Sequence, residues 1–184
     1  MRKIYIAGPD VFYKERLQIG KQKKDLCLKH GFIGVYPLDL LPSNLFSGKF
    51  SINEQAKLIK HACLEGIKDC DLLIANMTPF RGVSMDVGTA NEIGLAHMIG
   101  KEIYGYSLDS KSYIEKIKED KQFSHIEGGI SFDNENSLIE DFDKIDNCMV
   151  TESCVKILFP SDKEETNLSL FEKVLIEIKG DYDV

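Results

Sequence analysis

The protein has 184 residues, of which 43% are hydrophobic, and these values suit one domain with a single core over residues 1–184. Its formal net charge of -7 and pI of about 5.2 exclude a basic surface for nucleic-acid phosphates or an anionic membrane. The first apolar run, residues 4–7, is far shorter than a signal-peptide core, and no run approaches the ~18 apolar residues of a membrane helix. We therefore expect a soluble, cytoplasmic protein that acts on a small molecule or another protein.

Cysteine and histidine usage gives no sign of a metal or disulfide framework. The five cysteines are odd in number and include no C-x-x-C pair, and the four histidines are scattered along the chain. We therefore expect free thiols and no metal site.

Short apolar runs alternate with segments of helical spacing. Strands are predicted, in chain order, at residues 3–7, 32–36, 71–76, 102–107 and 155–159. Helices are predicted at residues 11–30, 51–68, 89–99, 112–118 and 166–178. This order predicts an α/β protein with a five-stranded, mostly parallel sheet, helices on both of its faces and right-handed connections.

Residues 108–137 differ in character from the rest of the chain, because Lys, Asp, Glu, Ser and Asn dominate them. We interpret this segment as a short helix followed by an exposed polar excursion. The segment could act as a lid over the site or as a contact between subunits, and the sequence favours neither.

Ligands of open parallel sheets bind at the carboxyl ends of the strands. Three predicted segments reach this edge: residues 7–10, 36–39 and 76–92. In the second of them, Asp39 is equally well explained as a polar group of the pocket or as a plain turn residue.

The third segment ends in the sequence SMDVGTANEIG, residues 84–94, in which Asp86 and Glu92 are six residues apart. A helix that starts near Gly88 places Glu92 in its first turn, where free N–H groups favour an ionised carboxylate. Asp86 then lies in the preceding loop, and a second acid in a drier setting can donate a proton. Two carboxylates with divided roles are the usual means of breaking a bond at an anomeric carbon. The alternative is that both acids only stabilise a helix N-terminus.

Several anchors together resemble the nucleoside 2-deoxyribosyltransferase family. They follow one another in family order over residues 4–149. They are IYIAGP with Phe12 at the start, IKDCD at residues 67–71, TPFRG at 78–82, D-x-GTA-x-E-x-G at 86–94, and NCM at 147–149.

This resemblance implies a flavodoxin-like fold and a double displacement that moves 2-deoxyribose from a deoxynucleoside to a free nucleobase. Glu92 would be the nucleophile that forms a covalent deoxyribosyl intermediate. Asp86 and Asp71 would be the acids that contact sugar hydroxyls and protonate the leaving base. Tyr5 would orient the nucleophile, although a tyrosine on a buried strand is ordinarily a core residue.

The resemblance also implies the substrate-binding residues. These are Gly8, Phe12, Gly88, Asn147 and Met149, with Asn147 completing the site of a neighbouring subunit in a homo-oligomer, a dimer or a hexamer. Phe12 or Phe80 could lie along a planar base. No cofactor is implied, and neither nucleic acid nor membrane is an expected partner. The alternative for Asn147 is that it caps a turn, and the alternative for Asp71 is that it forms a hydrogen bond within a turn.

Two other functions compete with the transferase. A related hydrolase would release the sugar to water, with a nucleoside 5′-monophosphate as a substrate whose phosphate Thr78, Arg81 and Ser84 could hold. A catalytically silent module would use the same pocket only to sense nucleotides. A flavodoxin-type electron carrier fits poorly, because no Ser/Thr-rich phosphate loop follows the first strand.

Overall fold

A computed structural model describes residues 1–120 and 122–182. Seven strands lie in the described chain: β1 (Lys3–Ala7), β2 (Ile33–Val35), β3 (Leu72–Asn76), β4 (Glu102–Tyr106), β5 (Phe123–Glu127), β6 (Ile130–Asp133) and β7 (Lys156–Leu158). Six α-helices accompany them there: α1 (Arg16–Lys29), α2 (Ile52–Asp69), α3 (Val87–Met98), α4 (Tyr113–Glu119), α5 (Cys148–Thr151) and α6 (Asn167–Tyr182).

The five predicted strands form one parallel sheet in the order β2-β1-β3-β4-β7, which confirms the expected fold class. This order is that of flavodoxin-like proteins. The first helix differs from its prediction over residues 11–30, because Pro9–Phe12 forms a separate 3₁₀ turn that ends at the extended residue Tyr13. Helix α1 therefore begins only at Arg16.

The two faces of the sheet bury different sets of side chains. Along β1, Ile4 and Ile6 pack in the cluster that contains the apolar residues of α6. Tyr5 and Ala7 point to the other face and pack with residues of α2 and α3. Because side chains alternate along a strand, this register directs Tyr5 toward the helix that carries Glu92.

A closed ring of buried polar groups fixes the turn after β1. Lys23 Nζ donates to Asp10 Oδ2 at 2.6 Å and to the Tyr106 hydroxyl at 2.7 Å. The Tyr106 hydroxyl donates to Asn167 Oδ1 at 2.5 Å, and Asn167 Nδ2 donates to Asp10 Oδ1 at 2.6 Å. Lys23 is 0% exposed, so the ion pair with Asp10 is fully desolvated.

The polar excursion contains more regular structure than its composition predicts. The short helix is present as α4 and begins with a capping box between Ser112 and Glu115. It is followed by an antiparallel hairpin of β5 and β6 that turns at Gly128 and Gly129, which the sequence analysis did not predict. Both glycines have positive φ, the backbone conformation that lets a tight hairpin turn close.

Within the described residues, no helix combines the length and the apolarity that crossing a membrane requires. All five cysteines are free.

Candidate active site

A cavity of about 480 Å³ opens at the carboxyl edge of the sheet, within the size range of small-molecule sites. Each of the three segments expected at this edge contributes to it. Its lining consists of Gly8, Val11, Phe12, Arg16, Pro37, Leu38, Leu41, Phe46, Ile59, Cys63, Asp86, Gly88 and Glu92. Most of this wall is apolar, and the two acids of the SMDVGTANEIG segment lie together in it.

Another cavity, of about 560 Å³, lies against the exposed side of α2. Its acids, Glu65 and Asp69, are on one helix face, and each pairs with a lysine, Lys68 and Lys3. These carboxylates are therefore already neutralised by surface ion pairs, and the cavity at the sheet edge is the better candidate for chemistry.

Asp86 is the N-cap of α3. Its Oδ2 accepts hydrogen bonds from Thr89 N at 2.9 Å and from Thr89 Oγ1 at 3.0 Å. The helix consequently begins at Val87, earlier than predicted. A Cβ on Gly88 would lie 2.9 Å from the same Asp86 oxygen, so glycine leaves room for the capping carboxylate.

Glu92 lies in the second turn of α3, beyond the first-turn position that the sequence predicted. Burial, with a smaller contribution from the nearby charge of Asp86, raises the pKa of Glu92 to about 7. The expected ionising effect of the helix N-terminus therefore does not dominate at this residue. The hydroxyl of Tyr5 donates to Glu92 Oε1 at 2.6 Å and lowers that pKa.

Cys63 completes this group and was missed by the sequence analysis. Its thiol lines the cavity from α2, and the neighbouring Tyr5 and Glu92 both influence its pKa. Burial raises the pKa of Cys63, so the thiol is the form present near neutrality. The available signal was its place on the apolar stripe of α2, but that stripe indicates packing in general.

Phe12, which lines the cavity, belongs to a stack of aromatic rings beside it. Phe12 stacks on Phe80 with ring centroids 5.5 Å apart and an interplanar angle of 16°. The Arg81 guanidinium lies over both rings, 5.3 Å and 4.7 Å from their centroids. Arg81 has a φ of 58°. This cation–π stack ties the turn after β1 to the loop after β3.

The structure does not bring Asp71 into the cavity, which corrects its assignment to the pocket. Asp71 is exposed, and its Oδ2 accepts a 2.7 Å hydrogen bond from Lys3 N. It precedes β3, whereas Gly8 and Pro37 follow their strands. Since parallel strands all run the same way, the start and the end of a strand lie at opposite edges of the sheet.

Asn147 and Met149 also lie away from the cavity within this chain. Asn147 caps α5 by accepting from Met149 N at 3.0 Å, and its Nδ2 donates to Glu140 Oε1 at 2.6 Å. Met149 is 78% exposed. The capping alternative is thus observed, and a role in a neighbouring subunit stays a prediction.

The remaining polar candidates have other partners. Asp39 forms an ion pair with Lys24. Thr78 Oγ1 accepts from Leu108 N at 3.0 Å, and Ser84 is absent from the cavity lining. Arg16, at the start of α1, is the cation in the described lining, and the sequence analysis did not select it.

The sheet order and the acidic pocket at the carboxyl edge define a flavodoxin-like α/β protein with a site for a small molecule. The sequence matches the profile of the nucleoside 2-deoxyribosyltransferase family over residues 4–149. The chain belongs to this family.

Two solved structures share this fold. A 2-deoxyribosyltransferase from Leishmania mexicana superposes with a TM-score of 0.67 at 24% identity, covering 99% of both chains. A 2-deoxyribosyltransferase from Bacillus psychrosaccharolyticus gives a TM-score of 0.51 at 20% identity, over 91% of this chain and 95% of that one. At these identities the similarity establishes the fold.

A curated relative from Schizosaccharomyces pombe has no assigned function. It is 31% identical over 122 residues, which are 62% of this chain and 54% of the relative. The chain thus spans about half the length of the curated relative that it matches.

Proposed function

We propose that the protein is an enzyme that cleaves the N-glycosidic bond of 2′-deoxynucleosides and transfers the deoxyribose to another nucleobase through Glu92. The observation that carries this proposal is the Glu92 carboxyl group, which lines the cavity, accepts from the Tyr5 hydroxyl at 2.6 Å and lies beside Asp86. Family membership over residues 4–149 supports the substrate class.

In the first step, an oxygen of ionised Glu92 forms a bond to C1′ of the sugar. The C1′–N bond breaks, its electron pair leaves with the base, and the base takes a proton that passes from solvent through Asp86. Tyr5 holds the attacking carboxylate in one orientation. With a pKa of about 7, Glu92 is substantially ionised at neutral pH, as a nucleophile must be.

In the second step, a nitrogen lone pair of the incoming base attacks C1′. The bond between C1′ and the glutamate oxygen breaks, its electron pair returns to the carboxylate, and the proton of the incoming base passes to solvent through Asp86. Partial burial of Glu92 among apolar walls limits competition by water. The apolar side chains of Phe12, Leu38 and Phe46 suit the faces of a planar base.

A hydrolase that acts on a nucleoside 5′-monophosphate is the second candidate, and Arg16 is the observation that favours it. The guanidinium lines the cavity and could pair with a phosphate. Arg81, considered for this role from the sequence, lies over aromatic rings instead. Comparing cleavage of a deoxynucleoside with cleavage of its 5′-monophosphate, without an acceptor base, separates the two activities.

We also propose a homo-oligomer in which Asn147 completes a neighbouring site. Helix α3 presents Val87 and Met98 to solvent, 84% and 81% exposed. Together with exposed Met149, these large apolar side chains suit contact with a second copy. Light scattering after size exclusion measures the oligomer, and a monomer that retains full activity would contradict it.

The decisive assay incubates the protein with one deoxynucleoside and a different free base and looks for the exchanged nucleoside. Glu92→Gln should abolish exchange, and intact mass of the wild type should show a deoxyribosyl adduct that this variant lacks. Glu65→Gln, an exposed glutamate on α2, is the matched control. No exchange across purine and pyrimidine pairs by folded protein refutes the transferase, and ligand binding without an adduct supports the sensing module.

A further inference from the structure

The polar excursion packs against the loop that carries Asp86. Its own small core consists of Ile114, Ile117 and Ile139, and Val83 of the loop after β3 packs against this cluster. The excursion thus contacts residues 77–86, the segment that leads from β3 to the proposed catalytic acids.

Asp146, in the loop between the excursion and α5, makes a polar contact with the loop after β3. It is 5% exposed, and its Oδ2 accepts a 2.7 Å hydrogen bond from the backbone amide of Met85. Its Oδ1 accepts from Asn147 N at 2.9 Å. Met85 is itself buried and immediately precedes Asp86. This hydrogen bond therefore fixes the backbone next to Asp86.

A positive charge accompanies this buried carboxylate. Lys116 on α4 is 5% exposed, and its ammonium donates to the backbone oxygen of Ile145. Burial lowers the pKa of Lys116, while the charges of Asp146 and Asp109 oppose that change. A buried carboxylate is expensive unless it is hydrogen-bonded and its charge is compensated. Asp146 accepts two backbone hydrogen bonds, and the charge of Lys116 interacts favourably with it.

We propose that Asp146 is a positioning residue of the active site: through the amide of Met85 it holds Asp86 at its distance from Glu92. Contacts with this region fix the backbone of the loop after β3. This inference rests on the proposed function, because it assigns Asp146 a part in the geometry of that same site.

The position of the Asp86 backbone matters for two reasons. Asp86 caps α3 and lies beside Glu92 at the same time, so a shift of its backbone changes both relationships. A misplacement of about 1 Å in a catalytic constellation can reduce the rate about 100-fold. The groups that face the Glu92 carboxyl are Tyr5, Cys63 and Asp86, and the loop after β3 carries Asp86.

The test is a carboxyl-carbon NMR titration of Glu92 in the ligand-free protein, together with kcat/KM for base exchange. In Asp146→Ala, Asp86 moves away from Glu92, so the midpoint for Glu92 should fall, and kcat/KM should fall about 10- to 100-fold. Asp146→Ser, whose hydroxyl is too short to reach Met85, should behave alike if the alanine variant does not fold. Asp146→Asn keeps one oxygen acceptor and should restore most of both values.

Asp141→Ala, an exposed change in the same segment, is the matched control and should match the wild type in both measurements. A folded Asp146→Ala or Asp146→Ser protein whose Glu92 midpoint equals that of the wild type overturns the inference. Absence of base exchange in the wild type would refute the proposed function instead, and the titration would still decide the role of Asp146.

Discussion

Tyr5 and Glu92, 87 residues apart in the chain, are joined by a 2.6 Å hydrogen bond from the tyrosine hydroxyl to Oε1 of the glutamate. The bond crosses from the first strand of the sheet to the helix that follows the third. It gives a buried carboxyl group a fixed orientation and lowers the pKa that burial raises.

Tyr5→Phe should move the pH profile of the reaction. Loss of the hydroxyl removes a bond that lowers the pKa of Glu92, so the rise of kcat/KM with pH, centred near 7 in the wild type, should shift to higher pH. At pH 7 the rate should fall about 10-fold or more, since a hydrogen bond to a charged group contributes about 1.5–3 kcal/mol. Base-exchange rates across pH measure both effects. The control is Tyr104→Phe, which removes a hydroxyl that donates to Asp181 instead of Glu92. It should leave the pH profile unchanged.

Glu92→Gln should stabilise the folded protein at alkaline pH. The folded-state pKa of Glu92 is raised from 4.5 to about 7, so folding favours the protonated form. Its contribution to stability is complete below pH 4.5 and is lost as the pH rises through about 7. At pH 8 the variant should therefore gain up to about 3 kcal/mol in urea unfolding, and at pH 4 almost nothing. Equal gains at both pH values would show that ionisation of Glu92 is not responsible.

Two glycines of α3 should respond in opposite directions to alanine. Gly88→Ala places a methyl group against Asp86 Oδ2, so the cap should be lost at a cost of about 1 kcal/mol and the KM should rise. Gly94→Ala meets no atom within 4 Å and should stabilise the helix by about 0.4–1 kcal/mol without changing activity. Thermal unfolding and steady-state kinetics of the pair test this. A shared direction of the two stability changes would contradict the steric role of Gly88.

Lys23→Met should be strongly destabilising, by about 3–5 kcal/mol, because it leaves the Asp10 carboxylate buried without its counter-charge. Lys21→Met on the same helix is the control. It breaks an exposed pair with Asp25 and should cost about 0.5 kcal/mol or less. Urea unfolding of both variants measures the difference. If the two costs are similar, the buried ring does not carry the stability attributed to it here.

The sheet was predictable because its strands are short apolar runs between helical segments, and burial on both faces leaves that pattern in the sequence. The hairpin of β5 and β6 was not, because β5 is mostly exposed and the apolar–polar alternation of β6, ISFD, covers only four residues. The starts of two helices differ from their predictions because a capping side chain or a proline determines them. Asp86 caps α3 one residue before Val87, and Pro9 opens a separate turn ahead of α1.

For the site, the motif spacing selected Asp86 and Glu92, and the alternation of β1 directs Tyr5 toward them. Asp71 was misplaced because its role was taken from the family motif, although the predicted strand at residues 71–76 already puts it at the start of its strand, away from the carboxyl edge. Cys63 and Arg16 were missed because each becomes a cavity residue only when helices pack beside the sheet. The raised pKa of Glu92 could not be predicted from the sequence either, because burial in the folded protein is its largest cause.

The ring around Asp10 also orders events during synthesis of the chain. The two carboxylate oxygens of Asp10 are bonded by Lys23, made soon after it, and by Asn167, made 157 residues later. Until α6 has emerged from the ribosome, the turn beside the cavity lacks one of its two supports, and closing that contact spans nearly the whole chain. The first loop of the pocket therefore depends on the last helix of the chain for one of its two supports.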